Sequence, residues 1–117
     1  MALSPIYGGS WTSRADVAAA FQIPLPSLGH VLMAWYDIDE YEGYAFVIGS
    51  DADRLWIVEG SDCSCYGLED QWAPETTDAP TLRQRRWWGK ADVAQMVTAA
   101  LDAWEAARDA HAQGRPV

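Results

Sequence analysis

Val31-Leu32-Met33-Ala34-Trp35-Tyr36-Asp37-Ile38, then Tyr44-Ala45-Phe46-Val47-Ile48, then Leu55-Trp56-Ile57-Val58-Glu59 is the stretch whose reading decides the fold. Each run is built from large apolar, β-branched and aromatic residues. The segments between them, Asp39 to Gly43 and Gly49 to Arg54, are short and charged. That pattern predicts three consecutive strands joined by tight turns, an antiparallel meander. In the middle run Tyr44, Phe46 and Ile48 alternate with Ala45 and Val47, so both faces are apolar and this strand belongs at the centre of the sheet.

Outward from the meander, helical periodicity takes over. Val93, Met96, Val97, Ala100, Leu101, Trp104 and Arg108 recur at spacings of three and four, an amphipathic stripe whose last member lays an aliphatic stem along the apolar face; Gly114 and Pro116 close the helix. Near the other end, Ser13 is a good N-cap with Asp16 three residues on, and Val17, Ala20 and Phe21 share a face before Pro24 stops the run. Residues 4–12 read as coil, Pro24 to Gly29 as a connection, Gly60 to Pro80 as irregular, and Leu82 to Arg86 as a short helical turn. The expected fold is α+β and a single domain over 1–117. It has a three-stranded antiparallel sheet at about 31–38, 44–49 and 55–60, packed against a long C-terminal helix at about 90–112. A short N-terminal helix lies at about 13–22, and the whole forms two layers.

Composition narrows the classes. Half of the 117 residues are hydrophobic and 12% aromatic, too many for a disordered acidic tail, so a packed core is expected despite a net charge of −9. A balance this acidic argues against direct binding of nucleic acid or of an anionic membrane surface, both of which need a basic face. Met1 to Pro5 lacks a basic segment followed by an apolar one, and no apolar run approaches the length of a bilayer span, so a soluble, cytoplasmic protein is expected.

Chemistry-bearing motifs are few. Cys63 and Cys65 stand one residue apart, too close for a structural disulfide, and they lack the C-x₂₋₄-C spacing and second ligand pair of a zinc site. The acids Glu59, Asp62, Glu69 and Asp70 would raise rather than lower a thiol pKa there. His30 and His111 sit in distant segments, and no nucleophile elbow, P-loop or dinucleotide fingerprint is present; no catalytic residue, metal or cofactor is assigned.

Charge distribution says more. From Asp37 to Asp78 twelve acids face the single base Arg54, a segment of −11, whereas Arg83, Arg85, Arg86 and Lys90 follow with no acid among them and enclose Trp87 and Trp88. Two readings compete. In one, acidic turns keep an aromatic-rich protein soluble, and the arginines pair with them across the surface. In the other, Asp39, Glu40, Glu42, Asp51, Asp53, Glu69 and Asp70 present carboxylates to a basic partner. Trp72, Arg83, Arg86, Trp87 and Trp88 would then act as anchors in the manner of interface hot spots.

The run Tyr41 to Val47, then Leu55 to Val58, then Glu59-Gly60-Ser61-Asp62-Cys63-Ser64-Cys65-Tyr66-Gly67-Leu68-Glu69-Asp70-Gln71-Trp72 to Thr77 resembles a family of small phage and prophage proteins. That family carries a Y-E-G strand and a G-S-x-C-S-C-x-G-x-E-x-Q-W-x-P-E motif. The likeness covers about residues 41–83. Asp62 stands where family members often carry a His before the first Cys, a departure that counts against a metal. The resemblance implies provenance rather than an activity. It points to a non-enzymatic protein that binds and inhibits a host protein or nucleoprotein complex with a basic surface, in the manner of an anti-CRISPR. A small metal- or ligand-binding module on the Cys63–Trp72 loop is the alternative, and a homodimer with a purely architectural loop is a third reading.

Overall fold

The computed structural model describes residues 5–39, 42–51, 54–63, 67–87 and 91–113. The fold is α+β, with a five-stranded mixed sheet in the order β1-β2-β3-β4-β5. The meander forms as the sequence predicts: β2 (His30–Asp39), β3 (Glu42–Asp51) and β4 (Arg54–Cys63) pair antiparallel, and β3 is central. Two edge strands extend it beyond the expected three. β1 (Ile6–Gly9) runs parallel to β2, and β5 (Glu75–Thr77) pairs with Leu55 to Ile57 of β4. Neither carries a strand signature of its own. Four residues ending in two glycines, and three polar ones, are extended because a neighbouring strand supplies the hydrogen bonds.

The sheet is covered on both sides, making three layers where two were expected. On one side lies α3 (Ala91–Gln113), whose Val93, Val97, Ala100, Leu101 and Trp104 pack with Met33, Trp35, Phe46, Ile48, Leu55 and Ile57. α2 (Ala79–Gln84) joins this side, starting three residues before the expected turn because Asp78 caps it, accepting the Thr81 N–H at 2.8 Å. On the other side α1 (Arg14–Phe21), the 3₁₀ turn Leu25–Leu28 and the loop through Leu68 bury Ala34, Tyr36, Ala45, Val47 and Val58. The alternation of β3 therefore feeds two separate cores. A bulge at Leu32 shifts the register of β2, so that Val31 turns into the second core while Met33 faces the first.

The N-terminal helix follows its caps. Ser13 Oγ accepts the Asp16 N–H at 3.2 Å, and Asp16 reaches back to the N–H and hydroxyl of Thr12. These bonds hold its carboxyl below the usual range. Gln22 ends the helix in the left-handed region, two residues before Pro24. Arg14 then donates to the carbonyls of Gly29 and Leu25 at 2.8 and 3.3 Å, fastening α1 to the 3₁₀ turn.

Candidate functional site

Of the conspicuous sequence motif, Gly60 to Cys63 complete β4, and the described residues from Gly67 onward form a loop that plugs the second core. Leu68, 2% exposed, inserts beneath it against Gly60, where an added Cβ would come within 2.9 Å of the leucine Cδ2. Beyond the three residues that β5 covers, β4 has an unpaired edge, and Gln71 fills it. Its amide accepts the Ser61 N–H at 2.9 Å and donates to the carbonyls of Ser61 at 2.8 Å and Gly67 at 2.7 Å. A side-chain amide thus does there what a neighbouring strand would do. Asp70 adopts φ 65°, which turns the chain sharply and leaves its carboxylate exposed beside Glu69.

Trp72 follows from that anchor. It stands edge-on to Phe21 at 5.1 Å and to Trp56 at 5.6 Å, with interplanar angles of 70° and 76°. It also divides two shallow grooves. One, of about 290 Å³, has walls of Phe21 and Ile23 and a rim of Glu69 and Asp70. The other, of about 480 Å³, runs from Gly29 and His30 past Ser50 and Asp51 to Trp56 and Pro74. Ser50 is buried and meets His30 Nδ1 at 3.2 Å. Trp56 is held flat across Gly49, where any Cβ would stand 2.0 Å from the indole Cζ2, so glycine is required at that position. Among the described residues, no Lys or Arg lines either groove. Leu25, 46% exposed, adds an apolar point on the nearby turn.

The structure thus brings together four of the expected partner-binding residues: Asp51, Glu69, Asp70 and Trp72. The other described ones lie elsewhere. Asp39 and Glu42 are opposite each other at the far end of the β2–β3 hairpin from Asp51, about 30 Å away at ~3.3 Å per residue, and only their backbone positions are described. Glu40, Asp53 and Trp88 lie outside the described residues, as does Cys65. Among the described acids of the two turns, Asp39 and Glu42 therefore form no single array with Asp51.

Trp87 corrects an expectation. It is buried against Phe46, with ring centroids 4.5 Å apart, and donates its indole N–H to Leu82 O at 3.2 Å, so it serves the core and is not a surface anchor. Trp11, expected in a connection, is likewise core, packed on Phe21 and Tyr36. Arg83 is engaged within the chain, by Asp102 at 2.8 Å and Glu105 at 3.3 Å of α3. Arg85 pairs with Glu59, donates to the Tyr44 hydroxyl at 3.3 Å and covers the Trp87 ring at 4.8 Å. In this cluster the Arg85 bond holds the Glu59 carboxyl low. Burial and the neighbouring Glu59 push Tyr44 up to about 12. Arg86 is exposed.

His30, Ser50 and Trp56 are site residues that sequence reasoning missed, because strand registers alone bring them beside the loop; the glycine facing Trp56 was the available signal. Among the described residues no three His, Cys, Asp or Glu side chains gather as they would around a metal. Nor is any described helix long and apolar enough to cross a membrane. The chain matches no protein-family model, no curated protein and no solved structure.

Proposed function

We propose that the protein is a phage-derived, non-enzymatic interaction protein. It binds a host nucleic-acid-handling or defence complex and occupies a basic surface there, as an anti-CRISPR-type inhibitor does. The observation that supports this reading is the face around Trp72: half-buried aromatic walls flanked by Asp51, Glu69 and Asp70, with no Lys or Arg among the described residues that line it. Carboxylates steer and orient a basic partner, whereas the aromatic and apolar surface supplies affinity that salt does not screen. The motif likeness to small phage proteins supports the provenance. Substrate chemistry is not required for such a role, since occlusion of phosphate-binding Lys and Arg is enough to inhibit.

Affinity capture from a bacterial host lysate, at low and at high salt, tests it. Wild type is expected to retain a nucleic-acid-handling protein, less of it as salt rises. The triple variant Asp51→Asn, Glu69→Gln, Asp70→Asn is expected to lose it. Retention of no such partner, or equal retention by the triple variant, contradicts the proposal.

A further inference from the structure

We infer that the corner between Trp56 and Trp72 is a receptor for one arginine side chain of a basic protein segment, an assignment that rests on the interaction-protein reading above and specifies its chemistry. The corner is preformed. Two half-buried indoles meet at 76° with centroids 5.6 Å apart. One is pinned across Gly49, the other braced on Phe21. Asp51 stands exposed at the rim, and among the described residues it makes no ion pair.

An aromatic wall next to an unpaired carboxylate selects a cation, because the ring face and the carboxylate both present negative potential. The protein satisfies other indoles with its own arginines: Arg85 Cζ lies 4.8 Å from the Trp87 centroid, and Arg108 Cζ lies 4.5 Å from that of Trp104. Among the described residues the Trp56–Trp72 corner has no such counterpart: Arg14 is committed to the carbonyls of Gly29 and Leu25, and Arg54, registered opposite Asp51, lines a different groove with Trp104 and Glu105. Its occupant therefore comes from outside.

Guanidinium fits better than ammonium for two reasons. It is planar and weakly hydrated, so it can stack on one indole while its edge donates to Asp51, and it gives up less hydration in an open groove. A lysine would keep its water and lose the stacking. Across Trp72, Glu69 and Asp70 stand where a second cationic residue of the same segment would reach, with Phe21 and Ile23 beneath its stem.

The test uses the full chain and two blocked peptides, acetyl-Ala-Arg-Ala-Arg-Ala-amide and its lysine counterpart, titrated while the indole N–H resonances of all tryptophans are followed. The arginine peptide is expected to move the Trp56 and Trp72 signals and to bind about 3- to 10-fold more tightly than the lysine peptide. Asp51→Asn and Trp72→Ala are each expected to weaken it by a similar factor, and Asp109→Asn, on α3, to leave it unchanged. Asp51→Asn keeps every packing contact, so it remains informative if Trp72→Ala loses structure. Silent Trp56 and Trp72 signals, or equal affinity for the two peptides, overturn the arginine site. If both peptides bind equally and both weaken in the Asp51, Glu69, Asp70 triple variant, the acidic-face reading survives and the arginine site falls. If the corner behaves as expected but no basic host partner is captured, the site stands and the proposed function falls.

Discussion

At the scale of single residues, Gln71 and Tyr44 show how local chemistry holds this molecule together. Gln71 closes the open edge of β4 with three hydrogen bonds, two to Ser61 and one to Gly67. Gln71→Ala leaves those backbone groups to partial solvation, and a loss of about 1–3 kcal/mol is expected in urea unfolding. Gln71→Glu is expected to recover little, because a carboxylate accepts the Ser61 N–H but donates to neither carbonyl. Tyr44 carries a raised folded pKa, so its contribution is present below about pH 10, the ordinary value, and is lost as pH climbs through about 12. Alkaline denaturation between those limits is expected to be shallower in Tyr44→Phe. Glu59, Asp16 and Asp78 are depressed, so their contributions are present above the ordinary carboxylate range and fade as pH falls through the folded values.

Among the elements, the meander and α3 were legible because each carries a period that its own side chains enforce. Tyr44 to Ile48 alternates into two cores, and Val93 to Trp104 makes one stripe. β1 and β5 were illegible because four residues ending in two glycines and a run of only three residues are too short to show an alternation, and pairing with β2 and β4 defines them. Trp87 was misplaced for a related reason. Its neighbours Arg86 and Trp88 look like surface, but the short link from α2 to α3 drops it onto Phe46. Trp87→Ala is accordingly expected to cost about 3–5 kcal/mol in thermal or urea unfolding, as truncation of a buried aromatic does. Gly49→Ala acts on the site through an element: the new methyl drives Trp56 off β3. A destabilisation of about 1–3 kcal/mol is expected, with a marked change in Trp56 fluorescence or indole shift.

For the whole molecule, the −9 charge is not spread evenly along the chain, and its described acids do not gather into one patch. The hairpin geometry sends Asp39 and Glu42 to one end of the sheet and Asp51 to the other. Two of the four arginine-region cations, Arg83 and Arg85, are neutralised within the chain on the α3 side. Among the described residues, the face at Trp72 sets Asp51, Glu69 and Asp70 beside an aromatic surface whose grooves no Lys or Arg lines. Binding through that face is expected to weaken when salt rises from low to physiological concentration and then to level off. Screening removes the carboxylate contribution but leaves the apolar one, which calorimetric titration at several ionic strengths can separate.

The sequence by itself determined that the three meander strands pair and which side chains are apolar, because strand alternation and helical periodicity are properties of neighbours along the chain. It also marked Gly60, Leu68, Gln71 and Trp72 as a motif without saying what the motif does. Only the tertiary structure decided that Leu68 is a plug and Gln71 a substitute strand. It alone showed that Asp51 lies in the groove on one side of Trp72 and Glu69 and Asp70 in the groove on the other, while Asp39 and Glu42 sit at the opposite end of the sheet. Those outcomes depend on register, on a bulge at Leu32 and on which face each helix covers. Contacts between residues far apart in sequence set all three.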